Sequence, residues 1–164
     1  MPLPERQIMT NWCWAASTVV ISKYYNPAGN LNQRQVVAKL LNKPPCALPM
    51  PNPICNVKQD FSVSLNTYGY LAQAVNTTVS QDDLINSIKN KRLVGCQMDF
   101  SDMGGHAIVI TNIINSQSQV YLEIADPAVD SLFNISYQQF RDNYRGLGGQ
   151  WARTYFTKPN SNQI

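Results

Sequence analysis

Gln7-Ile8-Met9-Thr10-Asn11-Trp12-Cys13-Trp14-Ala15-Ala16-Ser17 is the stretch on which the reading of this chain turns. From Asn11 onward the small and apolar residues Trp14, Ala15, Thr18, Val19, Ile21 and Ser22 suit a largely buried helix running to about Tyr25. Asn26-Pro27-Ala28-Gly29-Asn30 ends it with turn residues. Cys13 therefore falls at a helix start. A thiol there feels the positive end of the helix dipole, its pKa drops, and the thiolate becomes available near neutral pH. The alternative is an ordinary buried core cysteine.

Working outward, Val36, Val37, Leu40 and Leu41 give a second helix its apolar face over about 32–41. A proline-rich stretch follows, Pro44 to Pro53, whose five prolines argue against regular structure. Phe61–Tyr68 predicts a short helix. Ser80-Gln81-Asp82-Asp83 predicts a capping box that opens a helix to about Asn90, with Leu84, Ile85 and Ile88 on its inner face. The character then changes. Leu93–Phe100, Ala107–Ile114, Val120–Asp126 and Trp151–Thr157 are β-branched or aromatic runs that predict strands, with a short helix from Ser136 to about Tyr144 before the last. Helices first and strands second indicate one α+β domain over 1–164. Its helical part covers about 1–92 and its β-rich part about 93–158, with a cleft between them for a site.

Bulk composition excludes several classes. The net charge is +3, from 13 basic and 10 acidic residues, and the densest basic stretch is only Lys89-Asn90-Lys91-Arg92. A nucleic-acid partner needs a clustered basic face, so none is expected. No apolar run approaches the roughly 18 residues of a membrane span. Met1-Pro2-Leu3-Pro4-Glu5-Arg6 lacks the apolar core of a signal peptide, so delivery signals are expected upstream of an excised domain. With one histidine and no C-x-x-C pair, zinc is not expected. Of the four cysteines, Cys96 lies in an apolar run and reads as core. Cys46 and Cys55 flank the proline-rich stretch, either as a disulfide or as two free thiols.

Any imidazole chemistry must use His106, which follows Gly104-Gly105 and leads into a strand. It is otherwise a hydrogen-bonded structural histidine. Asp126 closes the strand Glu123-Ile124-Ala125-Asp126 before Pro127. If the strands on either side of Asn115–Gln119 pair as a hairpin, position 106 lies roughly opposite position 126. A carboxylate there can fix the tautomer of the imidazole; a plain Asp-Pro turn is the competing explanation. Gln7 stands six positions before Cys13, where its amide can donate to an oxyanion.

Taken together, Gln7, then Cys13-Trp14-Ala15, then Gly105-His106-Ala107, then Asp126-Pro127 resemble the papain-like cysteine peptidases. The interval from Cys13 to His106 is shorter than the roughly 130 residues or more of plant and lysosomal members. It is similar to that of compact bacterial members: secreted effector proteases, protease domains of toxins and bacteriocin-leader peptidases. The chain lacks the Cys-Gly-Ser that precedes the nucleophile in the larger enzymes, and it has Asp126 where they have asparagine.

The resemblance implies a papain-like fold, with a central helix carrying nucleophile Cys13, base His106 and orienting residue Asp126, and with Gln7 in the oxyanion hole. It also implies that Trp151, in Gly148-Gly149-Gln150-Trp151, shields the His–Asp contact; a core tryptophan is the alternative. The implied activity is that of a cysteine endopeptidase acting on protein or peptide substrates through an acyl-enzyme, without metal or organic cofactor. Delivery into a target cell, with a cognate inhibitor or immunity protein as partner, would fit an effector or toxin domain. A leader-processing peptidase, a Cys-His-Asp deamidase or transglutaminase, and a non-catalytic peptide-binding domain are the rival readings.

Overall fold

A computed structural model of the chain describes residues 4–50, 52–102 and 104–163. Met1–Leu3, read above for a signal peptide, and Pro51 lie outside them. The helices are α1 (Cys13–Tyr25), α2 (Gln33–Leu41), α3 (Phe61–Thr67), α4 (Gln81–Lys89) and α5 (Tyr137–Asp142). The strands are β1 (Leu71–Val75), β2 (Val94–Phe100), β3 (Gly104–Ser116), β4 (Gln119–Ala125), β5 (Phe133–Ser136) and β6 (Gln150–Thr157). All six form one antiparallel sheet in the order β1-β6-β2-β3-β4-β5. The chain is thus α+β with a papain-like architecture.

Helices cover both faces of this sheet, and alternation along the strands decides which residue faces which layer. Ala107, Val109, Ala125 and Tyr155 face α1–α3 with Val19, Val36, Phe61 and Leu65. Cys96, Met98, Ile108, Ile110 and Ile124 face α4 and α5 with Leu84 and Phe140. Gly95 is where α3 comes closest: a Cβ there would meet Phe61 Cε1 at 2.7 Å. Buried hydroxyls tie α1 in place, with Ser17 donating to the Ala107 carbonyl of β3 (3.1 Å) and Thr18 bonded to Ser64 of α3 (2.7 Å).

Capping sets the helix bounds. Asn32 with Gln35, and Ser80 with Asp83, form reciprocal capping boxes at α2 and α4. β1 was not foreseen: it lies within the part read as helical, and its Leu-Ala-Gln-Ala-Val composition carries no strand signal beyond its ends. It exists because it pairs with β6. α5 in turn sits within the β-rich part, so the two parts interleave. The proline-rich stretch is also more ordered than expected. Pro44–Ala47 and Pro53–Cys55 are 3-10 turns, each with proline at a first-turn position where a missing N–H costs nothing. Cys46 and Cys55 are disulfide-bonded and buried. No helix among the described residues is long and apolar enough to cross a membrane.

Candidate active site

Cys13 is the first residue of α1. The preceding residue, Trp12, caps the helix with no side-chain acceptor, so no side chain competes for the first-turn N–H groups beside the thiol. Both flanking tryptophans are buried and need acceptors for their indole N–H groups. They find them just after the disulfide: Trp12 Nε1 donates to Cys55 O (2.7 Å) and Trp14 Nε1 to Val57 O (3.1 Å). Between these, the Asn56 side chain accepts from Asn11 N (2.9 Å) and donates to Thr10 Oγ1 (2.8 Å). The disulfide-closed segment therefore grips both sides of Cys13.

His106 lies within β3, two residues past its start, and not at the loop junction expected. Its Nε2 is 2.6 Å from Asp126 Oδ1, which leaves Nδ1 to interact with the Cys13 thiol, the two groups each favouring the other's charged form. The pairing register explains how His106 and Asp126 meet. From the tight turn at Ser116↔Gln119 the ladder runs to Asn112↔Glu123, skips Thr111 as a bulge, and resumes at Ile110↔Ile124 and Val109↔Ala125. Continued one step, it sets Asp126 against Ile108, so His106 is a diagonal neighbour on the same face. Without the bulge Asp126 would fall against Val109, and His106 would point to the other face. Thr111 Oγ1 holds the bulge by donating to Glu123 Oε1 (2.7 Å).

The electrostatics follow from this geometry. Burial by itself would raise the Cys13 thiol. The His106 hydrogen bond and charge, with the backbone N–H groups of Ala107 and Trp14, outweigh burial and hold the thiol below its ordinary value. For His106, burial works against the cation. Hydrogen bonds and charge from Asp126 and Cys13 prevail and lift the imidazole to about 9. Asp126 is only 1% exposed, and burial opposes its ionisation. Bonds from His106, Ala128 N (2.8 Å) and Tyr144 Oη (2.7 Å) nonetheless keep it below the usual aspartate range. The imidazole is thus charged near neutral pH, and its charge favours the Cys13 thiolate and the Asp126 carboxylate. Cys96, fully buried without such partners, is pushed well up.

Two of the other sequence-predicted residues sit differently from expectation. Gln7 lines the same cleft, but its Nε2 donates to Met9 O (3.1 Å) and Thr10 O (2.6 Å), which engages both amide protons in the turn before α1. Trp151 has Tyr137 and Phe140 as ring partners and donates to Arg153 O (3.0 Å); it belongs to the core under α5. The side chain that covers Asp126 is Tyr144, itself 1% exposed, with Arg145 Nη1 at 3.7 Å from the same Oδ2. Sequence reasoning missed Tyr144, Arg145 and Asn56. Nothing local in the sequence marks any of the three.

The cleft has a volume of about 820 Å³ and is walled by the 6–14 segment, by 58–61, by Gly104–Ala107 and by the Tyr144–Leu147 loop. Its size suits an extended peptide. Among the described residues no group of three or more His, Cys, Asp or Glu side chains is placed to hold a metal ion.

Comparison with known proteins agrees with this architecture. No curated protein sequence matches the chain. Among solved structures, the Pseudomonas avirulence protein AvrPphB aligns over 90% of each chain at 16% identity and a TM-score of 0.37, a likeness too distant to bear on the site. A family model described as papain-like cysteine protease AvrRpt2 matches residues 2–145, and the chain belongs to that family of papain-like cysteine proteases.

Proposed function

We propose that the protein is an endopeptidase that cuts protein substrates through a Cys13 acyl-enzyme, with His106 as acid and base and Asp126 as the residue that orients it. The observation that carries this is the meeting of Cys13, at the start of α1, with His106, whose Nε2 is 2.6 Å from Asp126 Oδ1 and whose charge favours the thiolate. The Cys13 thiolate attacks the scissile carbonyl. The backbone N–H of Cys13, at the start of α1, donates to the developing oxyanion. His106 protonates the departing amine, then removes a proton from the water that hydrolyses the thioester. Gln7 contributes a second oxyanion donor once one amide proton leaves Met9 O, the longer of its two bonds. Its loss as Gln7→Ala then lowers turnover by about 10²–10³. No cofactor enters these steps.

Residues 1–164 act in this reading as one peptidase domain, an effector delivered by a bacterium into a target cell, with host proteins as substrates and a cognate inhibitor as a further partner. The family match and the charge-poor composition support it. The test is terminal labelling of a target-cell proteome exposed to active protein and to Cys13→Ala. New protein termini that depend on Cys13 support the proposal. Equal profiles with the two proteins rule it out, and mass shifts of about one dalton without new termini identify a deamidase, because the thioester would then form on a glutamine side chain with release of ammonia and be hydrolysed by water to glutamate.

A further inference from the structure

Given the peptidase reading, the direction of the substrate follows from the chemistry. His106 protonates the leaving amine, so the C-terminal half of the substrate lies on the His106 side of Cys13. Beyond His106 on that side stand Asp126, Tyr144, Arg145 and Leu147. The loop that carries the last three is tied down by its own backbone. Tyr144 N donates to Gly149 O (2.8 Å), Leu147 N to Tyr144 O (3.1 Å), and Gly148 N to Asn143 Oδ1 (2.9 Å).

Arg145 is the unusual member. It sits at φ +54°, a left-handed conformation that a bulky L-residue adopts only under constraint. Asn42 and Lys91 share that conformation, but they end α2 and α4, where a left-handed residue is ordinary. Arg145 lies two residues past Asn143, the cap of α5, and ends no helix. Arg145 and Gly146 (φ +71°) are instead the two central residues of a turn that Leu147 N closes on Tyr144 O (3.1 Å), and that turn sets Arg145 at the cleft lip. Its guanidinium lies over the Phe133 ring (5.8 Å) and 3.7 Å from Asp126 Oδ2, with the side chain 37% exposed. Asp126 is already hydrogen-bonded by His106, Ala128 N and Tyr144, and Arg145 at 3.7 Å stands beyond hydrogen-bond distance of it, so the guanidinium N–H groups remain available at the cleft. The other cleft cations differ. Arg6 is paired with Asp130 (2.9 Å), Arg153 is shared between Asp60 (3.7 Å) and the Tyr155 hydroxyl, and Lys58 sits at the Gly104 end of β3.

We propose that Arg145 is a specificity-determining residue that reads an aspartate or glutamate of the substrate on the C-terminal side of the cut, with exposed Leu147 as the adjoining wall.

The test digests a proteome-derived peptide library and reads the residues that follow each new terminus. For wild-type protein, Asp and Glu are expected about 2- to 5-fold enriched within the first three positions after the cut, the scale of a part-exposed ion pair. The enrichment should fade at about 0.5 M salt. Arg145→Glu should replace it with Lys and Arg, and Arg145→Gln, which keeps size and polarity, should flatten it. Lys58→Glu should leave it unchanged. Because each profile is normalised to its own total cuts, slower turnover does not mimic the effect. New termini with no acidic enrichment in wild type would overturn the inference while leaving the peptidase reading intact. So would an Arg145→Gln profile that keeps the enrichment, or a Lys58→Glu profile that loses it. No new termini at all from wild type would overturn the peptidase reading itself.

Discussion

Tyr144→Phe isolates one hydrogen bond in the buried charge chain. The ring keeps its place between Phe133, Phe140 and Phe100, so packing barely changes. What is lost is the hydroxyl that donates to Asp126 Oδ2 at 2.7 Å, and Arg145 at 3.7 Å is too far and too exposed to replace it. A hydrogen bond to a charged group contributes about 1.5–3 kcal/mol, equivalent to a rise of about 1–2 units in the Asp126 pKa. The folded-state pKa of Asp126 is depressed, so its stabilisation is present above the ordinary aspartate range and is lost as pH falls through the folded value. Wild type minus variant should therefore be about 1.5–3 kcal/mol in urea unfolding at pH 7. The gap should shrink as both proteins approach the pH at which Asp126 is protonated. A gap under about 0.5 kcal/mol at pH 7, or one that stays constant into acid, would refute the claim that the hydroxyl stabilises a buried carboxylate.

Three further outcomes follow from the same geometry. The midpoint for alkylation of Cys13 by iodoacetamide should lie below the ordinary thiol value, activity should decline above about pH 9 as His106 loses its proton, and Asp126→Asn should move the alkylation midpoint up by about 1 unit or more. An unchanged midpoint in Asp126→Asn would exclude its control of the imidazolium. Reduction of the Cys46–Cys55 disulfide frees the segment that grips Trp12 and Trp14. Denaturant unfolding with and without dithiothreitol should differ by about 2–3 kcal/mol, the loop-closure entropy of so short a ring; identical midpoints would show that the loop is held by other contacts. Gly95→Ala drives a methyl group into Phe61 at 2.7 Å, and thermal unfolding should register a loss of about 1–3 kcal/mol. An unaffected melting temperature would mean that α3 can move away freely.

Much of this was legible in the sequence because it depends on local chemistry. Asn32 and Ser80 with partners three residues on fix the starts of α2 and α4. The β-branched runs of β2 and β4 match their strands within a residue at either end. Cys13 at a helix start and His106 and Asp126 on two arms of a hairpin were likewise readable, since a helix stop and a turn are encoded by nearby residues. β1 was not readable, because it is a strand only by virtue of β6, which lies far along the chain.

The site divides the same way. The sequence by itself determined which groups are available: one thiol at an open helix terminus, one imidazole, and one carboxylate at the end of the neighbouring strand. The tertiary structure decided how they meet. A single skipped residue, Thr111, puts His106 and Asp126 on the same face, and no local propensity predicts a bulge that exists to satisfy a ladder. It also gave the cover of Asp126 to Tyr144 and not Trp151, and turned the Gln7 amide onto Met9 and Thr10. The physical reason is that nearby residues set backbone conformation and helix ends, whereas the partner of a buried polar group is whichever donor or acceptor the packed layers bring within about 3 Å, and that depends on every element at once.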